Sequence, residues 1–311
     1  MRLKKLSDLK EILAGTSQKL RLVVAGAADE PVIGAVLKAT KLGLITPILV
    51  GDVDKVREIS ARNKWSLDKV ELHNEQRDVE AVEVAVRLVS EGKADVLMKG
   101  MVATKILLKG VLDKKWGLRE SKVLSHLAMF EVAGAGRLVG LTDAAMNIQP
   151  DLHQKADIIQ NSVNFLRQIG YEKPLVAALA PVEVVNPAMQ STIDAACLSM
   201  MSQRGQLKNC VVDGPLAFDN AFDRESAHHK GIESAVAGNA DLLVAPDIDA
   251  GNVLYKSLSF AARAESASVV LGAKIPVVLT SRADTEVSKL YSILLAAAAV
   301  AMRKEADDAT T

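Results

Sequence analysis

The sequence predicts an α/β protein made of two doubly wound domains with mostly parallel sheets. Short apolar runs alternate along the chain with segments whose apolar residues recur at helical spacing, a pattern typical of parallel strands covered by helices on both faces. The alternation breaks once, at a predicted hairpin near Gly134, and then begins again. At 311 residues the chain is long enough for one large domain or two of ordinary size.

A first series of elements precedes the hairpin. Its predicted strands are Leu22–Ala25, Thr46–Val50, Val70–His73 and Asp95–Met98. Pro31 follows acidic residues and starts the first long helix, which ends at Gly43. The helix after the third strand is the clearest, because its valines from Val79 to Val89 recur at spacings of three, four and three.

The hairpin marks the predicted domain boundary. Ser125–Phe130 and Arg137–Leu141 are predicted strands, joined by a tight turn that contains two glycines. The second series has predicted strands Leu175–Ala180, Cys210–Asp213, Asp241–Ala245 and Ile275–Leu279. Polar loops, Asp213–Asn220 and Pro246–Asn252, follow two of them, and a helix over Thr285–Lys304 closes the chain.

Composition excludes several classes of protein. The 38 basic residues balance 38 acidic ones, and aromatic residues make up only 3%, which argues against nucleic acid as a ligand. The two cysteines, Cys197 and Cys210, are too few for a disulfide framework. No secretory signal is recognisable, and the longest apolar run, Ile293–Met302, is too short to span a bilayer. We therefore expect a soluble cytoplasmic protein that does not bind membranes.

Polar groups that favour anions follow several predicted strands. The most informative set is Ser281, Arg282 and Asp284, which lies between an apolar strand and the last helix. Helix N-termini present unpaired N–H groups, and an arginine beside them suits phosphate or carboxylate. The alternative interpretation is a plain helix cap with Arg282 in solvent. Similar polar stretches follow other strands at Lys99–Lys109, Asp213–Asn220 and Asp247–Asn252.

No cofactor motif accompanies these strand ends. Asp247, Asp249 and Asn252 could bind a divalent metal, but a helix cap with an Asx turn explains them as well. Because no second acidic cluster is apparent, we predict no metal site. The sequence has no complete glycine-rich dinucleotide motif, no phosphate-binding loop and no Gly-x-Ser-x-Gly elbow. Chemistry that needs only positioning and charge stabilisation fits best, such as transfer of an acyl group to phosphate.

These stretches resemble the phosphate acetyl/butyryltransferase family, and its butyryl branch more closely. The matching motifs are Met98–Gly100, Leu124–His126, Asp213–Asp219, Ala237–Asp241, Pro246–Asn252 with Tyr255 and Lys256, and Leu279–Arg282. The resemblance implies interconversion of acyl-CoA plus phosphate with acyl phosphate plus CoA, without a redox cofactor or a metal. It also implies a homodimer and an active site in the interdomain cleft. With the hairpin it predicts a domain over 1–132 and 270–311, into which a second domain over 133–269 is inserted.

The resemblance also suggests roles for individual residues. Ser281 would donate a hydrogen bond to the tetrahedral oxyanion, and Arg282 would hold phosphate or CoA. Thr104 and Lys109 lie where acetyl-specific relatives present serine and arginine to phosphate. Asp284 is our substitute for the base of those relatives, because Ser288 occupies the position of their aspartate. The other predicted substrate-binding residues lie in the matching motifs and are Lys99, Asp213, Asp247, Asp249 and Asn252.

Two alternatives remain open at this point. The sequence does not separate a butyryl from an acetyl substrate. Dehydrogenases of the isocitrate or isopropylmalate type share the two-domain architecture, but they need metal-binding aspartates and a nucleotide site.

Overall fold

The computed structural model describes residues 3–16, 19–281 and 284–308. The chain divides into two compact units. Unit I comprises Leu6–Glu120 together with the chain from Ala267 onwards, and unit II comprises Ser121–Ser266 together with the first described residues up to Lys5.

The described residues form eleven strands and eleven α-helices. The strands are β1 (Leu20–Ala25), β2 (Ile45–Gly51), β3 (Glu71–Asn74), β4 (Val96–Lys99), β5 (Ser125–Glu131), β6 (Leu138–Thr142), β7 (Leu175–Leu179), β8 (Val211–Leu216), β9 (Leu242–Val244), β10 (Glu265–Leu271) and β11 (Val277–Val278). The helices are α1 (Asp8–Ala14), α2 (Glu30–Lys41), α3 (Val53–Arg62), α4 (Asp78–Ser90), α5 (Thr104–Leu112), α6 (Leu152–Gln168), α7 (Gln190–Gln203), α8 (Phe218–Phe222), α9 (Arg224–His229), α10 (Ile248–Lys256) and α11 (Glu286–Asp308).

The strands of unit I lie in the order β3-β2-β1-β4-β11-β10. All neighbours are parallel except β10 and β11. The chain moves outward from β1 through β2 to β3 and then returns to β4 on the other side of β1. This reversal makes a topological switch point between β1 and β4, and open α/β sheets bind ligands at the carboxyl ends of the strands at such a point.

The strands of unit II lie in the order β5-β6-β9-β7-β8. β5 and β6 form an antiparallel hairpin, and the remaining neighbours are parallel. An apolar cluster that includes Phe130, Leu141, Leu243 and Tyr255 fills the core beside this sheet. The prediction of an α/β fold with mostly parallel sheets is confirmed.

Several elements differ from those predicted. β10 was not predicted, because its buried Ser266 and Ser268 hide the apolar pattern of a strand whose alanine and valines are buried. The main chain of Ser268 is hydrogen-bonded within the protein, because its N–H donates to the Ser292 hydroxyl at 2.8 Å. The stretch after Asp213 was predicted to be a polar loop, and this was wrong. β8 continues to Leu216, and the short α8 follows.

The divisions between the units lie at 120/121 and 266/267, whereas the predicted boundaries lie at 132/133 and 269/270. The first difference has a simple cause. Main-chain pairing of Ala128 with Leu141 and of Phe130 with Val139 keeps both strands of the hairpin in unit II. A hairpin turn therefore breaks the α/β rhythm without ending a unit.

The longest helix is α11, at 23 residues, and its middle is buried and rich in alanine. Neither α11 nor any other helix in the described part of the chain is long and apolar enough to cross a membrane.

Candidate active site

The switch point of unit I is built by two loops that touch through their main chains. The Gly100 N–H donates to the Ala25 carbonyl at 2.8 Å, and the Met101 N–H donates to the Gly26 carbonyl at 2.7 Å. Gly26 has a φ of +72°. A Cβ atom added at Gly100 would lie 2.0 Å from the Gly26 oxygen, so the contact requires glycine there.

Lys99 ends β4 at this edge of the sheet. It pairs with Ala25 in the parallel register and is buried. Its ammonium donates to the Gly100 carbonyl at 3.0 Å and to the Val102 carbonyl at 3.4 Å. The positively charged Lys99 ammonium therefore lies against the main chain of the loop that leads into α5.

The α5 helix carries two of the predicted substrate-binding residues at different ends. Thr104 is its first residue and Lys109 lies in its last turn, and both are exposed. Five residues of α-helix separate them by about 7.5 Å along the axis and by roughly 140° around it. The N-cap residue Ala103 makes no side-chain cap, and the Ile106 N–H of the first turn donates to the Ala103 carbonyl at 3.0 Å. Thr104 therefore lies at an anion-friendly helix end, and Lys109 lies on another side.

The turn between β11 and α11 adjoins the same edge, because Val278 pairs with Met98 of β4. The Ser281 N–H donates to Oδ2 of Asp284 at 2.7 Å, and the Asp284 N–H donates to the Ser281 carbonyl at 3.2 Å. Both residues are half-buried. Arg282 lies outside the described residues. The Asp284 carboxylate thus holds the turn that carries Ser281.

Lys289, in the first turn of α11, also contacts this turn, and our sequence reasoning missed it. Its side chain is 2% exposed, and its ammonium donates to the carbonyls of Ser281 at 3.0 Å and of Asp284 at 2.9 Å. Burial lowers the pKa of Lys289, while the carboxylates of Asp284 and Asp29 oppose that shift. A signal was available in the sequence. Lys289 is four residues before Ile293, on the helical face that is buried.

The predicted substrate-binding residues of unit II lie after β9 and within β8. Asp247 caps α10 by accepting the Ala250 N–H at 2.9 Å, and Asp249 is exposed in the first turn of that helix. The Asn252 side chain donates to the Ala144 carbonyl at 3.0 Å, and the Asp213 carboxylate accepts the N–H of the next residue at 2.8 Å. Asp247 therefore has the helix-cap role that we weighed against a metal site.

The chemistry available at these edges is that of charge and hydrogen bonding. Within the residues that the structure describes, no three histidine, cysteine or acidic side chains are grouped so that they could hold a metal ion. The structure brings Lys99, Thr104, Ser281 and Asp284 to the carboxyl edge of the unit I sheet. Asp247, Asp249 and Asn252 lie together at the start of α10 in unit II, and Asp213 lies on β8 of the same unit.

Comparison with known proteins identifies the family to which this architecture belongs. The sequence model of the family "Phosphate acetyl/butaryl transferase" matches residues 73–297, which is most of the chain. The chain belongs to this family. The matched range includes the switch-point residue Lys99 as well as Ser281, Asp284 and Lys289.

Individual relatives are similar over nearly their full length. The phosphate butyryltransferase of Clostridium acetobutylicum is 49% identical over 277 residues, which cover 89% of this chain and 92% of that protein. The phosphate acetyltransferase of Thermotoga maritima is 44% identical over 294 residues, which cover 94% and 98%. A crystal structure of a branched-chain phosphotransacylase from Enterococcus faecalis superimposes with a TM-score of 0.81 at 32% identity, covering 90% of this chain and 99% of that one.

Proposed function

We propose that this protein transfers a short-chain acyl group between CoA and phosphate, so that acyl-CoA and phosphate exchange with acyl phosphate and CoA. The observation that carries the proposal is the 49% identity to a phosphate butyryltransferase over 92% of that protein's length. The geometry of unit I supports it, because a buried lysine, an uncapped helix N-terminus and a serine turn adjoin one edge of the sheet.

In this proposal a phosphate oxygen attacks the thioester carbonyl carbon, and the carbonyl electrons move onto its oxygen. The Ser281 hydroxyl would donate a hydrogen bond to that oxyanion. When the tetrahedral intermediate collapses, the carbon–sulfur bond breaks, the electron pair leaves with sulfur and the thiolate takes up a proton. Arg282 would hold phosphate or CoA, as the resemblance implies.

Asp284 remains our proposed base for the CoA thiol in the reverse direction. Its carboxylate already accepts the Ser281 N–H, so one side chain would both hold the turn and exchange the proton. A thiol with a pKa of about 8.5 needs only modest help to ionise, so a partly engaged carboxylate suffices.

The remaining substrate-binding roles are proposed in two groups. Lys99 and Thr104 would bind phosphate at the switch point. Lys99 would act through its positive charge, and Thr104 would act through its position at the N-terminus of α5. Lys109 would also bind phosphate, because it lies where acetyl-specific relatives present an arginine to phosphate. Asp213, Asp247, Asp249 and Asn252 are proposed to bind substrate on the ground of the family motifs alone.

We also propose that no redox cofactor and no metal takes part, with CoA present only as substrate or product, and that the enzyme is a cytoplasmic homodimer. The family resemblance supports these proposals. Sedimentation of the purified protein at twice the mass of one chain is the expected result for the dimer, and sedimentation at the mass of one chain would contradict it.

For the acyl group we propose a preference for four carbons over two. The greater identity to the butyryl enzyme than to the acetyl enzyme supports this order, and acetyl transfer is the second candidate. Because each extra buried methylene favours the longer chain by about 0.8 kcal/mol, the preference should be graded rather than absolute. The dehydrogenase alternative is not favoured, since the family match accounts for the shared architecture.

The experiment is a CoA-release assay with phosphate and a panel of acetyl-, propionyl-, butyryl- and isobutyryl-CoA. We expect kcat/KM to rise from acetyl to butyryl by roughly tenfold, which corresponds to two methylenes. An equal or greater kcat/KM for acetyl-CoA would replace the butyryl proposal with the acetyl one. No CoA release from any of the four substrates would contradict acyl transfer itself.

A further inference from the structure

We infer that Lys289 is a positioning residue that fixes the main chain of Ser281 for the transfer step. The inference rests on the proposed function, because it assigns Lys289 a role only if the Ser281 hydroxyl stabilises the transition state. Lys289 itself does not touch substrate in this proposal.

The first observation is the position of the Lys289 ammonium. It lies inside the protein at the start of α11, with a side chain that is only 2% exposed. Its donors reach back by eight residues to the Ser281 carbonyl, at 3.0 Å, and by five residues to the Asp284 carbonyl, at 2.9 Å. The side chain therefore links the helix to both ends of the turn.

The second observation is that the sheet does not hold Ser281. β11 ends at Val278, so the ladder with β4 stops before the turn begins. The N–H of Ser281 is instead taken by the Asp284 carboxylate and its carbonyl by Lys289, so side chains of α11 and of the turn fix both main-chain polar groups. The Asp284 N–H also donates to the Ser281 carbonyl, at 3.2 Å, and the shorter bond from Lys289 ties that carbonyl to α11.

The third observation concerns free energy. Removing an ammonium from water is unfavourable, and a buried charge is often replaceable by an apolar side chain without loss of stability. The neighbouring helix positions are filled by such side chains, among them Leu290 and Ile293. The presence of a lysine at this position is therefore explained better by its hydrogen bonds to the carbonyls of Ser281 and Asp284 than by a contribution to the stability of the fold.

A hydroxyl that must meet a developing oxyanion is sensitive to small displacements. A misplacement of about 1 Å can lower the rate about a hundredfold, although the substrate still binds. Loss of the Lys289 bonds should therefore lower kcat and leave KM nearly unchanged. A purely structural lysine would lower the melting temperature and leave the kinetics of the folded enzyme intact.

The test compares three variants and one double variant in the full-length enzyme. Lys289→Met removes the charge at similar length, Ser281→Ala removes the hydroxyl, and the double variant combines them. Lys304→Met is the matched control, because Lys304 lies on the same helix and donates to Asp95 at 2.8 Å, far from the turn. Steady-state kinetics with phosphate and butyryl-CoA are measured beside thermal unfolding.

We expect Lys289→Met to lower kcat by about ten- to a hundredfold with KM for phosphate within about twofold, and Lys304→Met to keep normal kcat. The double variant should be no slower than Ser281→Ala. Lys289 acts by placing the Ser281 hydroxyl, so its loss has no further effect on kcat once that hydroxyl has been removed. Normal kcat in folded Lys289→Met, or losses that multiply in the double variant, would overturn the inference.

The outcomes also separate this inference from the proposed function. A slow Ser281→Ala enzyme with a normal Lys289→Met enzyme would reject only the role of Lys289. Normal kcat in Ser281→Ala would reject the role of Ser281 and the inference with it. If Lys289→Met does not fold, Lys289→Gln takes its place, because its neutral amide keeps one donor group inside the protein, and the same two results decide.

Discussion

Individual side chains, more than the sheet, determine the geometry at Ser281. Asp284 holds its N–H and Lys289 holds its carbonyl, so the serine sits in a turn that is braced from both sides. The sequence selects Ser281 through the motif Leu279–Arg282 and Asp284 as the nearest carboxylate, and the roles of both stay predictions. The sequence does not select Lys289, since a lysine within a helical pattern is usually solvent-exposed and only tertiary packing buries this one.

The role of Ser281 leads to a kinetic prediction. Ser281→Ala should lower kcat by about a hundred- to a thousandfold, or roughly 2.7–4 kcal/mol, with little change in KM, because the hydroxyl acts on charge that exists only in the transition state. Kinetics and thermal unfolding of the purified variant check this. A folded variant with near-normal kcat would show instead that the serine has only a structural role in the turn before α11.

A second prediction at this scale concerns Asp95, which precedes β4. Burial would raise the pKa of Asp95, but hydrogen bonds from Arg21 and Lys304 outweigh it and lower the pKa to about 2. Because the folded pKa lies below the ordinary 3.8, this carboxylate stabilises the fold at neutral pH and the stabilisation is lost as the pH falls through 3.8 towards 2.

Asp95→Asn should therefore lower the free energy of unfolding by roughly 2 kcal/mol at pH 7 and by much less near pH 2. Denaturant unfolding of both proteins at several pH values measures the difference. A difference that stays constant over the acid range would contradict the assignment to the charged carboxylate.

At the scale of elements, the switch point depends on main-chain contact between two loops. The strand-to-helix connections after β1 and β4 are joined by the hydrogen bonds of Gly100 and Met101. The sequence predicted both strands and the polar stretch after the second of them, Lys99–Lys109. It did not predict the contact, because the closeness of two main chains follows from the register of β1 against β4 rather than from either segment alone.

Gly100→Ala tests this contact. Its new Cβ would lie 2.0 Å from the Gly26 oxygen, so one loop must move, and we expect a clearly lower melting temperature together with lower kcat. Gly15→Ala is the control, because its Cβ would have no neighbour closer than 3.5 Å. Equal melting temperatures and equal kcat for the two variants would mean that the loops do not need the close approach.

The missed and the shortened strand have different causes. β10 contains the buried Ser266 and Ser268, and the Ser268 N–H donates to the Ser292 hydroxyl, whereas β11 has only two residues because its pairing with β4 ends at Val278. Patterns of apolar residues report burial, and they do not report a strand that is completed by polar side chains.

At the scale of the whole molecule, the α/β class and the predominance of parallel strands could be predicted, because both follow from the alternation of elements along the chain. The positions at which the two units divide could not be predicted from this alternation. The hairpin of β5 and β6 resembles a boundary in sequence, yet its strands pair with each other within unit II.

The acyl-transfer account is tested most directly by release of CoA from butyryl-CoA with and without phosphate, with acyl phosphate measured in the same samples and a chelator added to one set. We predict that CoA appears only when phosphate is present, that one acyl phosphate forms for each CoA, and that the chelator changes neither rate. CoA release that is undiminished without phosphate, or that disappears with the chelator, would contradict the account.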